Sequence, residues 1–109
     1  MKLSTDYDFQ RGIYELKKAS KSFPNGSGIY KFIDSNDITL YVGKAKNLKK
    51  RISSYLNDNR QTNKIKTLVS LTNSLIFIKT PNEIDSFILE NNLIKKLKSK
   101  FNIRLMDDK

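Results

Sequence analysis

Two glycine-bearing tripeptides, Gly28-Ile29-Tyr30 and Tyr41-Val42-Gly43, constrain this chain more than any other feature, and ten residues separate them. Each reads as the inner end of a β-strand. β-Branched and aromatic residues suit a pleated, half-buried surface, and a glycine lets backbone or substrate approach where a side chain would obstruct. Ile29 to Ile33 and Ile38 to Val42 are short β-rich runs, and Asp34-Ser35-Asn36-Asp37 between them supplies a hairpin loop. The pattern predicts an antiparallel pair with Tyr30 and Tyr41 at comparable positions on neighbouring strands, where their hydroxyls can converge. Taken alone, two strand tyrosines are most simply half-buried core residues; the adjacent glycines are what single these out.

The rest of the chain arranges itself around that pair. A helix is predicted near residues 9–20, with Phe9, Ile13, Leu16 and Ala19 on one side. Pro24-Asn25-Gly26-Ser27-Gly28 then breaks the chain. Asn47 caps a helix running to Leu56, whose core face is Leu48, Ile52 and Leu56. A further helix spans 62–71, through Ile65, Leu68, Val69 and Leu71. Leu75-Ile76-Phe77-Ile78 reads as a buried third strand, ended by Pro81-Asn82, and Glu83 to Lys98 as the longest helix. The tail from Phe101 to Leu105 is expected to return as an extended segment. The fold class is therefore α+β, a small three-stranded antiparallel sheet flanked by helices. Residues 1–109 form a single domain, with 1–22 an N-terminal helix and loop and 23–109 the core. Gly12-Ile13-Tyr14 repeats the first tripeptide, but a helical pattern follows it and no partner lies ten residues downstream, so it is set aside.

Composition narrows the chemistry. Lys and Arg number 21 against 11 Asp and Glu, a formal net charge of +10, which favours polyanionic partners, nucleic acid first. There is no cysteine, hence no disulfide framework or thiolate chemistry. There is no histidine, which excludes Ser-His-Asp triads, His-paired nucleophiles and His-bearing metal sites. A hydrolase built from this chain must draw its base from a carboxylate, a tyrosine, a lysine or a metal-bound hydroxide. The amino terminus lacks the apolar run of a secretory signal, and a cytoplasmic, monomeric protein is expected.

Glu90 stands out from its helix alone. At 100° per residue it falls between Ile94 and Leu97, with Phe87 and Leu93 a turn away, a lone carboxylate on an apolar side. Burying an uncompensated charge costs several kcal/mol, so it needs a divalent metal, an arginine or lysine, or several hydrogen-bond donors; a structural ion pair or a rim position would serve equally. Arg51 lies four residues before Tyr55 on one helix face, where its planar fork of donors could stabilise charge developing on a phosphate. A tyrosine with its ordinary pKa near 10 acts as a base at neutral pH only beside a cation such as Lys44 or a metal. Lys46, Lys49 and Lys50 read as a solvated basic face adding salt-sensitive attraction to phosphate.

The run Leu40-Tyr41-Val42-Gly43-Lys44-Ala45-Lys46-Asn47-Leu48-Lys49-Lys50-Arg51-Ile52-Ser53-Ser54-Tyr55 resembles the GIY-YIG nucleases, and among them the UvrC family. So do Leu89-Glu90-Asn91-Asn92-Leu93-Ile94-Lys95 and Lys100-Phe101-Asn102-Ile103-Arg104-Leu105, and the similarity runs from Phe23 to Lys109. Ser27 departs from the proline usual before the first motif glycine. The resemblance implies a metal-dependent DNA endonuclease that makes the 3′ incision at a lesion in nucleotide excision repair. Under it, Tyr30 and Tyr41 are the motif tyrosines, one of them the base or the group that positions the attacking water. Lys44 tunes that tyrosine or contacts phosphate, Arg51 stabilises the transition state, and Tyr55 assists in the phosphate pocket. Glu90 is the single protein ligand of Mg²⁺ or Mn²⁺, and Asn102 supports the site. Lys44, Lys46, Lys49, Lys50 and Arg51 contact nucleic acid. The partners so implied are damaged duplex DNA and the UvrB–DNA complex, the latter through regions beyond this chain. A stand-alone GIY-YIG nuclease and a catalytically inactive basic DNA-binding module are the competing expectations.

Overall fold

The computed structural model describes residues 7–57 and 62–106, with side chains described up to Ile103. Among these residues the chain runs α1 (Phe9–Ser22), β1 (Gly28–Ile33), β2 (Thr39–Ala45), α2 (Leu48–Ser54), α3 (Asn63–Leu71), β3 (Ser74–Lys79), α4 (Glu83–Leu97) and α5 (Lys100–Met106). The α+β class and the three-stranded antiparallel sheet are as the sequence predicts. β1 is central in the order β2-β1-β3, and both pairings are antiparallel.

The helix starts follow from local chemistry. Asp8, Asn47, Thr62 and Asn82 each accept a hydrogen bond from the backbone N–H three residues on, satisfying one of the donors a helix leaves open at its first turn. α4 carries Glu83 and Asp85 in its first turn and Lys95 and Lys96 in its last, complementing its dipole. The 24–26 loop adds a tertiary tie: the Leu48 N–H donates to the Gly26 carbonyl and the Lys49 N–H to that of Pro24. The chain can turn there because Gly26 has φ +114°, a left-handed conformation that favours glycine.

One face of the sheet, bearing Tyr30, Phe32 and Ala45, packs with Leu16, Leu48, Ile52, Leu68, Val69 and Phe101 into the main core. Ile29, Ile33 and Val42 are buried on the other face, where α4 runs over β2 and β1. α4 meets the sheet through a stripe of Ser86, Leu89, Glu90, Leu93 and Ile94. The set-aside Gly12 has a packing role: a Cβ there would collide with the Val69 carbonyl, so glycine lets α1 lie close against α3.

Two expectations fail. Phe101 to Leu105 is helical, because the short α5 buries Phe101 in the core and lodges Asn102 against β2. β3 is an edge strand rather than a buried one, and Ile76, Phe77 and Ile78 remain substantially exposed. A four-residue apolar run has the same sequence appearance at a sheet's centre and at its edge.

Candidate active site

The register of the β1–β2 hairpin builds the floor of the site. Tyr30 stands opposite Gly43, and Phe32 opposite Tyr41, so the two motif tyrosines are diagonal neighbours on one face, their ring centroids 6.2 Å apart. Gly43 serves Tyr30 directly. A Cβ at position 43 would strike the Tyr30 ring and hydroxyl, so the tyrosine of one strand lies across the glycine of the other. Tyr30 is fully buried by this arrangement.

α2 completes the cluster. The cap at Asn47 and the buried Leu48 and Ile52 orient this helix so that Arg51 and Tyr55 project over the hairpin. The hydroxyls of Tyr30 and Tyr55 are 2.8 Å apart, and the Arg51 Nε–H donates to the Tyr30 hydroxyl oxygen over 3.2 Å. The Arg51 guanidinium also sits 5.8 Å from the Tyr55 ring centroid. Phe32, which sequence reasoning missed, is a buried core residue that backs the cluster, with ring centroids 6.1 Å from Tyr41 and 5.2 Å from Tyr55. Strand alternation from Tyr30 would have found it.

Electrostatics divides the roles. Burial pushes the Tyr41 phenol far above its ordinary value of 10.0, reinforced by Tyr30, and Arg51 only partly counters this. Burial likewise drives the Tyr55 phenol well upward, with Tyr30 and Tyr41 adding to it. Both phenols therefore stay protonated at neutral pH. Arg51 is held more firmly protonated by the three tyrosine oxygens around it, Tyr30 foremost, against the opposing effect of burial.

Glu90 reaches the site from α4. It is half-buried, and desolvation raises its pKa from the ordinary 4.5, partly offset by the charge and backbone N–H of Lys44 and by Arg51. Its own charge is felt at Tyr41. Lys44 and Arg51 thus lie within electrostatic reach of Glu90, which in turn acts on Tyr41. Among the described residues no group of three or more acidic, histidine or cysteine side chains could hold a metal ion. A cation here would rest on Glu90 alone, and a carboxylate whose charged form is disfavoured by burial is suited to one.

Asn102 is also brought in, by contact with backbone. Its side-chain oxygen accepts from the Val42 N–H and its NH₂ donates to the Val42 carbonyl, each at 2.8 Å. The amide so pairs both polar groups of the residue between Tyr41 and Gly43, on the edge of β2 away from β1. Ser99, unforeseen from sequence, donates to the Asn102 oxygen at 2.5 Å and is itself buried. The basic residues divide. Lys44, Lys46 and Lys50 line a shallow groove of about 510 Å³ with Arg51. Lys49 does not face it: its ammonium donates to the carbonyls of Ser20 and Lys21 at 2.9 and 3.0 Å, capping the end of α1.

A tyrosine pair on a GIY…YVG hairpin, an arginine from the following helix and one carboxylate from a later helix define a GIY-YIG nuclease site. The UvrC-like GIY-YIG domain model matches residues 26–103. The UvrABC system protein C of Christiangramia forsetii is 47% identical over 94 residues, covering 86% of this chain and 16% of its own length. That of Chlorobium luteolum is 48% identical over 96 residues, covering 87% and 15%. The chain thus spans about a sixth of the length of these curated relatives. The crystal structure of the GIY-YIG N-terminal endonuclease domain of UvrC from Thermotoga maritima, bound to its catalytic magnesium, superposes with a TM-score of 0.71 at 38% identity, covering 79% of this chain and 93% of that one. Variants of that domain with single tyrosine-to-phenylalanine exchanges are also bound to the divalent cation. The chain belongs to the UvrC-like GIY-YIG domain family, and it is an endonuclease domain of that class. Among the described residues no helix is long and apolar enough to cross a membrane.

Proposed function

We propose that this domain hydrolyses a DNA phosphodiester bond with a divalent metal on Glu90, making the incision 3′ to a lesion within a longer, cytoplasmic UvrC-type protein that acts on a UvrB–DNA complex. The observation that carries this reading is a half-buried single carboxylate within electrostatic reach of Lys44 and Arg51, beside an arginine bonded to a linked pair of tyrosine hydroxyls. Magnesium suits such a site because it retains waters and takes ligands from substrate phosphate, and Mn²⁺ is expected to substitute. When bound, the metal supplies Lewis-acid polarisation and a more acidic bound water. That phenylalanine variants of the Thermotoga domain keep their cation supports a ligand other than a tyrosine hydroxyl.

The chain's own groups do the rest. Arg51 offers its remaining guanidinium donors to the phosphate oxygens as charge develops there. Tyr30, fully buried, accepts the Arg51 Nε–H and bonds the Tyr55 hydroxyl, so it holds both groups in place over the hairpin. Tyr41 and Tyr55 keep their protons and act as donors that orient water and phosphate. Lys44 contributes charge at the carboxylate and at phosphate. Asn102 acts through Val42, as a positioning residue.

Nicking of supercoiled plasmid with Mg²⁺ or Mn²⁺ tests the proposal. Nicking by the wild type, lost in Glu90→Gln and Arg51→Ala, is the expected result. A folded wild type that binds DNA without nicking it would support the inactive binding module instead.

A further inference from the structure

α4 presents a second apolar surface that the core does not use. Ile84 is 70% exposed, Phe87 52% and Ile88 51%, on a helix whose sheet-facing stripe lies elsewhere. Ile84 and Phe87 are not isolated surface residues. With Lys44, Lys46, Glu83 and Ser86 they line a groove of about 290 Å³. Lys44 and Lys46 also line the basic groove that leads to Arg51. Two grooves therefore share a wall of lysines, one basic and the other apolar on its α4 side. Phe87 lies three residues before Glu90, hence about one turn along α4 from the carboxylate.

We propose that the groove between Lys46 and Phe87 binds the nucleoside part of the DNA strand next to the scissile phosphate, with Phe87 and Ile84 against the base or sugar and Lys44 and Lys46 on the flanking phosphate. The inference deepens the nuclease reading and rests on it. Nucleic acid is the occupant that matches the surface: an anionic backbone with an apolar, stackable face at each step requires cations and apolar side chains interleaved at short range. Apolar side chains set beside cations also serve as wedges at base steps of duplex DNA. The Lys46–Glu83 ion pair across the groove is long, 3.7 Å, and solvent-exposed, so phosphate can take the place of Glu83 at little cost. Ile88, just as exposed but absent from the groove lining, is the internal control.

The experiment measures the affinity of a short fluorescent duplex by anisotropy, with Ca²⁺ replacing Mg²⁺, over a salt series. Phe87→Ala is expected to weaken binding about tenfold, the scale of losing one base–aromatic contact, and Ile84→Ala to weaken it by a smaller factor. The salt slope should not change, since no phosphate contact is removed. Phe87→Tyr should retain affinity, Ile88→Ala should match the wild type, and Lys46→Ala should lower the salt slope by about one unit. These side chains are exposed, so circular dichroism of each variant should be that of the wild type. Equal affinities for Phe87→Ala, Ile84→Ala and Ile88→Ala would overturn the assignment while leaving the nuclease reading intact. Loss of self-association instead of DNA binding in Phe87→Ala would also overturn it, and assign the patch to a second copy of the chain. A wild type with no affinity for DNA would overturn the nuclease reading itself, and this inference with it.

Discussion

Replacing Gly43 with alanine tests the central geometric claim, that this glycine exists to admit the ring of Tyr30. The added Cβ would lie 2.9 Å from Tyr30 Cε1 and closer still to Cζ and Oη, whereas ordinary contact begins at 3.4 Å. The ring edge must therefore retreat by at least 0.5 Å (3.4 less 2.9), and its hydroxyl end by more. It has nowhere to go. Tyr30 is fully buried, with Phe32, Tyr41 and Tyr55 around it at centroid distances of 5.9, 6.2 and 6.1 Å. A shift of that size changes its hydrogen bonds to Tyr55 and Arg51, now 2.8 and 3.2 Å, enough to compress or break them. Overpacking costs about 1–3 kcal/mol, and an unsatisfied buried hydroxyl about 1–3 kcal/mol more. A total of roughly 2–6 kcal/mol should appear as a lower midpoint in urea unfolding followed by circular dichroism. Misplacing a reacting group by about 1 Å costs on the order of 100-fold in rate, so plasmid nicking should fall by about that factor. Gly43→Ala combined with Tyr30→Ala should cost less than the sum of the two single changes, because truncating the ring removes the collision. Gly43→Ala with stability within about 0.5 kcal/mol of wild type and unchanged nicking would refute the reasoning.

Other outcomes follow from the same contacts. Asn102→Ala leaves the Val42 N–H and carbonyl without their partner and should cost about 1–3 kcal/mol in urea unfolding, with reduced nicking. Ser99→Ala should show a weaker form of the same defect, and equal nicking by Ser99→Ala and wild type would remove Ser99 from the positioning chain. Glu90→Gln should abolish nicking while raising the thermal midpoint of metal-free protein at pH 7. The sign follows from burial: the folded carboxyl has a pKa above 4.5, so its ionised form destabilises the fold at neutral pH, and the penalty fades as pH falls through that raised value toward 4.5. The advantage of the Gln variant should accordingly vanish in acid. In an ultraviolet pH titration, Tyr41 and Tyr55 should ionise only as the protein unfolds in alkali, because burial holds both phenols above their ordinary range; their ionisation in the folded protein near pH 10 would contradict this.

What the sequence by itself determined is what short-range chemistry controls. Asn47, Thr62 and Asn82 mark helix starts because a cap bonds an N–H three residues away. The strand pair is legible because its loop is local and its residue types suit a sheet. Tyr30 and Tyr41 stand out because glycines adjoin them on neighbouring strands, Arg51 because it shares a helix face with Tyr55, and Glu90 because a carboxylate on an apolar helix side is costly. The tertiary structure decided everything that depends on a distant partner. The tail became helical because Phe101 and Asn102 find the core and the edge of β2, Asn102 bonding across 60 residues to Val42. Lys49 turned away from the groove because the open carbonyls at the end of α1, 28 and 29 residues away, accept its protons. Strand register set the ring of Tyr30 across Gly43, and the packing of α4 over β2 carried Glu90 to Lys44. A pattern within one segment records which side chains share a face; what that face meets is decided only when the segments pack.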